Sequence, residues 1–222
     1  MRAMNHRTGG PPLRQQAYEA FKERLLSRDI RPGQFLSQRE LVAITGLPLG
    51  AIRELIPRLE ADGLIKTAPQ RGMQIAHVDL DLIRNAFQLR LILEREATVA
   101  FCRNASDDLI RELRDQHVAV QREAENGVTP ELLQRAQHID WAFHDTMIDA
   151  LGNSLIASTY RVNSIKIRLI RQEDTRMLPE LVTSVMREHM RILDALVARD
   201  ERASLEAIEA HIDIARRRAL GV

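Results

Sequence analysis

The fold is decided by a stretch that reads RPGQFLSQREL at residues 31–41. Its proline-glycine pair at 32–33 breaks the chain, and residues 34–36 fit a short strand. Ser37 followed three residues later by Glu40 is the capping-box pattern that begins a helix. We expect this helix to end at Gly46, because glycine accepts the left-handed conformation that terminates helices. The stretch therefore predicts a strand followed by a short, capped helix.

The sequence on both sides of this stretch predicts a small domain. Apolar residues recur at helical spacing from Arg14 to Ser27, ahead of it. After it, a second helix is expected from Pro48 to Ala61, with a kink at Pro57, and then two short strands at 64–67 and 73–76. This order of elements is that of a winged helix-turn-helix. Residues 13–78 are predicted to form this domain, and residues 1–12 a disordered tail.

The remaining chain, residues 79–222, is predicted to be helical. The expected segments are about 79–103, 106–126, 130–151, 153–173, 178–199 and 201–219. Glycine, proline, asparagine or aspartate marks the breaks between them. We therefore predict a mainly α protein, with an N-terminal winged helix-turn-helix and a C-terminal all-α antiparallel six-helix bundle.

Composition favours an intracellular protein. The chain has 222 residues, of which 45% are hydrophobic, so a packed core is expected. Its single cysteine, Cys102, excludes an internal disulfide and fits a reducing compartment. The N-terminus lacks a signal-peptide pattern, and no stretch approaches the roughly 20 apolar residues of a membrane helix. The sequence predicts a cytoplasmic location and no membrane partner.

The charge is unevenly distributed along the chain. Residues 1–78 carry 12 Lys and Arg against 7 Asp and Glu, whereas residues 79–222 carry 20 against 24. A basic N-terminal part indicates a polyanionic partner, and with a helix-turn-helix that partner is double-stranded DNA.

The second helix of a helix-turn-helix enters the major groove, and its first residues meet base edges. Arg39 on the preceding helix can reach a phosphate or a guanine, and the wing tip lies at Arg71. Glycine at position 72 is expected to let the backbone approach the phosphates. For any one arginine, a solvated surface charge is the alternative interpretation. The candidate DNA-contacting residues are Arg39, Leu49, Gly50, Arg53, Arg71 and Gly72.

Residues 31–41, residues 51–65 and the pair at 71–72 together resemble the N-terminal domain of the GntR superfamily of transcriptional regulators. The resemblance implies that Arg39 and Arg53 contact DNA and that Gly72 lies at the wing. The chain departs from the family at residues 48–51, which read PLGA where Ser-Arg-Thr-Pro or a similar sequence is usual. Leu49 therefore replaces an arginine that commonly contacts guanine, so the operator sequence of relatives does not transfer to this chain.

The helical part contains a candidate metal site. Asp140 and His144 are four residues apart and therefore share one helical face. His189 and His211 lie in the middle of later helices among apolar residues, where an unpartnered histidine is costly. One ion would satisfy all four side chains. An Asp–His pair at this spacing, taken alone, is more typical of a paired core histidine.

The motif DWAFH at 140–144, Asn153, the pair Glu188-His189, and His211 resemble the FCD ligand-binding domain of FadR-class GntR regulators. Six helices rather than seven suggest the VanR-like branch. The resemblance implies a divalent ion held by Asp140, His144, His189 and His211. Zinc is the first expectation, with nickel, manganese or iron as alternatives.

Arg90 and Asn163 are the candidate effector-binding residues. Both fall in otherwise apolar helical stripes, where a polar side chain is unexpected. Arg90 either pairs with Glu94, four residues further on, or binds an anionic effector. The resemblance implies that Arg90 lines the effector pocket. We therefore expect a small, carboxylate-bearing metabolite.

Other notable side chains receive ordinary interpretations. His77, His117 and His138 show no pattern and are expected at the surface or at a boundary. Trp141 and Phe143 are expected to pack in the core.

The leading hypothesis is a transcriptional regulator, most simply a repressor, without enzymatic activity. It is expected to be a homodimer, because helix-turn-helix proteins bind two half-sites, with a tetramer as the alternative. One alternative is an HD-type metallohydrolase using His144-Asp145, but Asp145 points about 100° away from His144 on a helix. A helical interaction module without metal is the other alternative.

Overall fold

The computed structural model of the chain describes residues 12–173 and 177–222. The predicted disordered tail lies outside these residues except for Pro12. The chain divides into two compact units, one ending at Val78 and the other beginning at Asp79.

The first unit contains three helices and three strands among its described residues. They are α1 (Leu13–Leu26), β1 (Phe35–Leu36), α2 (Gln38–Thr45), α3 (Leu49–Ala61), β2 (Ile65–Ala68) and β3 (Gly72–Ile75). The strands form one antiparallel sheet in the order β1-β3-β2, with Phe35 opposite Gln74 and Ile65 opposite Ile75. This is the predicted winged helix-turn-helix arrangement.

Local sequence signals fix the ends of the two central helices. The Ser37 side chain accepts a hydrogen bond from the Glu40 backbone N–H, and the Glu40 carboxylate accepts one from the Ser37 N–H, which completes the capping box. Gly46 ends α2 with φ at 71°. Pro48 is the N-cap of α3, and this helix continues through Pro57 to Ala61.

The helix α3 separates an apolar face from an exposed one. Ile52, Leu55 and Leu59 are fully buried. They join a core that also contains Ala17, Phe21, Leu25, Ile30, Leu41 and Leu64. Leu49 and Arg53 lie on the opposite, exposed face. Packing of the apolar side therefore directs the start of α3 to the surface of the unit.

The second unit is helical throughout its described residues. Its helices are α4 (Leu80–Asn104), α5 (Asp107–Ala124), α6 (Pro130–Asp149), α7 (Ser154–Glu173), α8 (Pro179–Val197) and α9 (Glu201–Leu220). Side-chain caps at Asp79, Ser106, Thr129 and Asp200 accept backbone N–H groups at four of the starts. All six predicted helices are present. None in the described part of the chain combines the length and apolar character that crossing a bilayer requires.

The connection from β3 to α4 is short. The Ala76 N–H donates to the Leu64 carbonyl, and the Ala76 carbonyl accepts from the Gly33 N–H, so Ala76 still belongs to the sheet region. Asp79 is already the N-cap of α4, where its side chain accepts from the Leu82 N–H.

The bundle encloses an unusual number of polar side chains. The helix α4 packs against α9, α7 and α6, while α5 packs against α8 and α6. Among apolar residues such as Phe87, Phe101 and Phe143 lie buried polar groups. These groups are Arg90, Glu94, Thr98, His117, Asp140, His144, Asn163, Glu188, His189, Ser204 and His211. They require partners, because an unsatisfied buried polar group is costly.

Candidate metal centre and ligand pocket

Four acidic and imidazole side chains meet inside the bundle. Asp140 and His144 come from α6, His189 from α8 and His211 from α9. Each offers one potential ligand atom, and these atoms all lie within 4.8 Å of one another. All four residues are buried. The structure thus brings together every residue of the predicted metal site.

A chain of hydrogen bonds sets the tautomer of His189. The His117 Nδ1 atom lies 2.6 Å from the Leu113 carbonyl oxygen, which only accepts, so this nitrogen carries a proton. Burial lowers the pKa of His117, which leaves the ring neutral and its Nε2 free to accept from His189 Nδ1 at 3.0 Å. The remaining nitrogen, His189 Nε2, therefore presents a lone pair. It lies 3.3 Å from Asp140 Oδ1.

His211 is held in the same way by a carboxylate. Its Nδ1 lies 2.9 Å from Glu188 Oε2, and Arg218 also donates to that carboxylate. Because the carboxylate accepts, Nδ1 carries the proton and Nε2 presents a lone pair. The Nε2 atoms of His189 and His211 are buried and have no hydrogen-bond partner in the described part of the chain.

Burial keeps both of these rings neutral. It lowers the pKa of His189 to about 4, although Asp140 raises it in part. Burial also lowers the pKa of His211 well below its usual value, and the neighbouring His189 and His144 act in the same direction. Two neutral nitrogen acceptors thus face a carboxylate. Such a donor set fits a divalent transition-metal ion, since nitrogen and oxygen ligands of this kind bind zinc and its neighbours.

The fourth residue, His144, is part of a buried network with Arg90 and Glu94. Arg90 donates from Nε to Glu94 Oε1 at 2.7 Å and from Nη2 to His144 Nε2 at 2.9 Å. The His144 Nδ1 atom lies 2.9 Å from Glu94 Oε2. The Tyr160 hydroxyl also donates to Glu94 Oε1, at 2.8 Å. The intrahelical pair that the sequence offered as one interpretation of Arg90 is therefore present.

This network is charged. Burial alone would raise the pKa of the Glu94 carboxyl, but Arg90 and His144 lower it below its usual range. The carboxylate thus stays ionised beside the buried guanidinium. The His144 Nε2 atom accepts from Arg90, because a guanidinium only donates. A single lone pair can serve Arg90 or a metal ion, and not both.

Two small cavities flank the four-residue cluster, each with about 20 Å³ of room, little more than one water molecule needs. The α7-side cavity is lined by residues of α4, α6 and α7, among them Trp141, His144, Asn163 and Arg168. The α9-side cavity is lined by residues that include Val185, His211 and Arg218. Arg90 and Asp140 line both cavities.

The two predicted effector residues therefore line the α7-side cavity, where each already has a structural partner. Asn163 is buried, and its amide nitrogen donates to the Ala86 carbonyl at 2.9 Å, which links α7 to α4.

The expectation for His117 was wrong. This residue is fully buried and supports His189, whereas His77 and His138 are exposed as expected. A sequence signal did exist, because Ile110, Leu113, His117 and Val120 recur at helical spacing and form the buried face of α5. Sequence reasoning also missed the contributions of Tyr160 and Glu188. Both side chains bond to residues on other helices, so no pattern in the neighbouring sequence indicates these contacts.

Trp141 and Phe143 differ from each other. Phe143 is fully buried and packs in the core as expected. Trp141 is only half-buried and lines the α7-side cavity. Asp145, which the metallohydrolase alternative requires, accepts from Arg161 at 2.8 Å and does not belong to the cluster.

The candidate DNA-contacting residues all lie on the surface of the first unit. Arg39 is on α2 and Arg53 on α3, and the Arg53 Nε atom donates to Gln38 Oε1 at 3.4 Å. The Arg71 guanidinium lies 5.0 Å from the centroid of the Phe35 ring. Gly72 has φ at 86°, and a Cβ atom there would lie 2.4 Å from the Leu36 carbonyl oxygen. The close approach of β1 to β3 thus requires glycine at this position.

Comparison with known proteins identifies two domains. The family of bacterial regulatory proteins named gntR matches residues 13–75, and the FCD domain matches residues 85–214. The chain is 27% identical over 189 residues to the Nta operon transcriptional regulator of Aminobacter aminovorans, covering 84% of this chain and 85% of that protein. It is 25% identical over 207 residues to the HTH-type transcriptional repressor RspR of Escherichia coli K12, covering 90% of this chain and 86% of that protein.

Solved structures show the same fold. McbR/YncC of E. coli superposes with a TM-score of 0.73 at 17% identity, covering 92% of this chain and 95% of that one. A GntR regulator from Rhodococcus sp. RHA1, described as putative, superposes with a TM-score of 0.72 at 18% identity, covering 94% and 98%.

Proposed function

This chain belongs to the GntR family of transcriptional regulators and carries an FCD domain, and from that premise we propose that it is a metal-dependent, ligand-controlled repressor. A small carboxylate-bearing metabolite binds beside a divalent metal ion in the helical domain, residues 79–222, and alters the affinity of the winged helix-turn-helix, residues 13–78, for operator DNA. The relative named as a repressor, RspR, supports this direction of control.

The observation that carries the proposal is the pair of unsatisfied nitrogens in the cluster. His189 Nε2 and His211 Nε2 are buried acceptors without a hydrogen-bond donor among the described residues, and the Asp140 carboxylate lies beside them. Unpaired buried acceptors are costly, and a cation bound between them and the carboxylate would offset this cost. Asp140, His144, His189 and His211 are the proposed ligands. Zinc is the first candidate, followed by nickel, manganese and iron.

The proposed effector site is the α7-side cavity. A bound ion supplies a Lewis-acidic anchor for a carboxylate there. If the ion takes the His144 Nε2 lone pair, the Arg90 Nη2 that now donates to it becomes available to the ligand. Asn163 lines the same cavity and would orient the ligand. Metal binding would thereby free Arg90 for the effector, so the two binding events are linked.

The proposed DNA-contacting surface comprises Arg39, Leu49, Gly50, Arg53, Arg71 and Gly72. Two copies of the chain are proposed to bind two half-sites, as helix-turn-helix proteins do. Whether dimers pair into tetramers does not affect this argument. A regulator of bacterial transcription acts in the cytoplasm, which is the proposed location.

The metal half of the proposal is tested by elemental analysis of the purified full chain. We expect about one ion per chain, as for a specific four-ligand site. His189→Ala should lose the ion. His138→Ala is the matched control, because His138 is an exposed histidine of α6 outside the cluster. Unchanged metal content in a folded His189→Ala chain would refute the four-ligand site.

The DNA half is tested with duplexes selected from a random pool by the purified protein. Arg53→Ala should bind the selected duplex about 5- to 150-fold more weakly, since one good contact is worth about 1–3 kcal/mol, while it retains its metal. Addition of an effector should release the wild-type chain. Tight binding by Arg53→Ala would show that α3 does not contact the DNA as proposed.

A further inference from the structure

The α7-side cavity contains two hydrogen-bond donors that the described side chains do not satisfy. Trp141 Nε1 and Arg168 Nε are buried atoms without a hydrogen-bond partner among the side chains of residues 12–170 and 177–222. Both residues line the cavity. The Arg168 guanidinium carbon lies 4.0 Å from the centroid of the Trp141 ring, so stacking holds the two donors side by side. A hydrogen-bond acceptor on a ligand would satisfy both donors.

Arg168 also brings a positive charge, which is only loosely paired among the described side chains. Its Nη2 atom lies 3.9 Å from Asp145 Oδ2, and Asp145 is engaged more closely by Arg161 at 2.8 Å. The Arg168 side chain is only 18% exposed. Burial lowers the pKa of Arg168, yet a guanidinium remains protonated in proteins. In contrast, Arg90 in the same cavity is paired with Glu94.

The two donors lie close to the metal cluster. Trp141 follows Asp140 on α6 and precedes His144 by three residues, a separation of about 5–6 Å between Cβ atoms on a helix. Asp140, His144 and Arg168 line the same cavity, so a ligand anchored by one carboxylate at the cluster can reach Arg168. The room in this cavity is about 20 Å³, little more than one water molecule, so only a small metabolite can enter, and it must displace lining side chains.

We propose that the controlling ligand is a small dicarboxylate, with one carboxylate at the metal cluster and Arg90 and the second at Arg168 and Trp141 Nε1. The inference rests on the proposed function, since it uses the same cluster as the first anchor. A monocarboxylate would leave Arg168 Nε and Trp141 Nε1 without an acceptor. A hydroxyl group would satisfy an N–H but would not neutralise the guanidinium.

The test compares dicarboxylates with monocarboxylates of equal chain length on the metal-loaded full chain. The probes are succinate, glutarate and adipate against butyrate, valerate and hexanoate, with binding measured by calorimetry. At least one dicarboxylate should bind about 10-fold or more tightly than its partner, as a charge-assisted hydrogen bond in a buried site provides. No preference for any dicarboxylate would overturn the inference.

Variants assign the preference to its residues. Arg168→Gln should abolish it while monocarboxylate affinity and metal content stay unchanged, and Trp141→Phe should reduce it by a smaller factor. Arg103→Gln is the matched control, because Arg103 is an exposed arginine of the same domain that pairs with Glu201 and does not line the cavity. A preference that survives Arg168→Gln would overturn the inference.

The metal content of the chain tests the proposed function separately from this inference. A chain without bound metal would refute the metal-dependent function, and the effect of Arg168→Gln on dicarboxylate affinity would still decide this inference, because the contacts of Arg168 and Trp141 Nε1 do not involve the ion. A chain that binds metal but shows no dicarboxylate preference would refute the inference alone.

Discussion

Substitution of Gly72 by alanine separates two explanations for the glycine at the start of β3. The sequence suggests that glycine lets the wing backbone approach DNA phosphates. The structure gives a reason within the protein, because a Cβ atom at this position would lie 2.4 Å from the Leu36 carbonyl oxygen and 3.2 Å from its carbon. Gly72→Ala should therefore destabilise the N-terminal domain even without DNA.

The magnitude follows from two costs. The φ of 86° lies in the left-handed region, which costs an L-residue about 1–2 kcal/mol. Relief of the contact with Leu36 requires a shift of β1 against β3, and insertion of a methyl group into a packed site costs about 1–3 kcal/mol. The total is about 2–5 kcal/mol. Since 1.4 kcal/mol is a factor of ten, the open population of the domain should rise about 30-fold or more.

Hydrogen exchange followed by mass spectrometry measures this effect in the full chain, because it reports on β1 to β3 and on the helical bundle separately. Peptides covering residues 33–37 and 65–76 should lose protection in Gly72→Ala, and those covering 138–144 should not. Gly50→Ala is the matched control. A Cβ atom at Gly50 meets no atom within 4 Å, so alanine there should stabilise α3 by about 0.5–1 kcal/mol.

One result would refute this reasoning. If Gly72→Ala kept the protection of residues 33–37 and 65–76 but lost DNA affinity, the glycine would serve the DNA contact and not the packing against Leu36.

Three further predictions address the metal site and the DNA-contacting surface. His117→Ala should weaken metal binding by about 10- to 100-fold, because His117 orients the ligand His189. A competition titration against a chelator measures this affinity. An affinity equal to that of His138→Ala would contradict the role of His117. The pKa of His189 is about 4 in the folded chain and near 6.5 when unfolded, so the unfolded state binds more protons between these values. The metal-free chain should therefore lose stability as the pH falls from 6.5 to 4, on the order of 1 kcal/mol per pH unit for this residue, and urea unfolding at pH 7 and pH 5 with equal midpoints would contradict this. Arg39→Gln should lower the slope of log affinity against log salt by about 1 if Arg39 contacts a phosphate, and an unchanged slope would exclude that contact.

Local signals in the sequence predicted much of the fold. The capping box at Ser37 and Glu40 involves residues three positions apart, and its two hydrogen bonds are present. The six helices of the bundle follow from periodic apolar residues and from the breaks between them. Within the site, Asp140 and His144 share a turn of α6, so their proximity was readable from spacing.

The environment of the site was less predictable because it depends on contacts between distant residues. His117 and His189 are 72 positions apart, and Arg90 and His144 are 54 apart. The helix α4 gives another example. There the charged Glu94 is fully buried, whereas the apolar Leu93 beside it is only half-buried. Arg90, Tyr160 and His144 supply partners for the Glu94 carboxylate, which apolar patterning does not reveal.

The connection between the two units is short. Ala76 is hydrogen-bonded within the sheet region and Asp79 caps α4, so only His77 and Val78 lie between them in the chain. Arg90 lies ten residues after Leu80, about 15 Å along the same helix. The helix that carries Arg90 to the cluster is thus the element that directly follows the N-terminal domain in the chain.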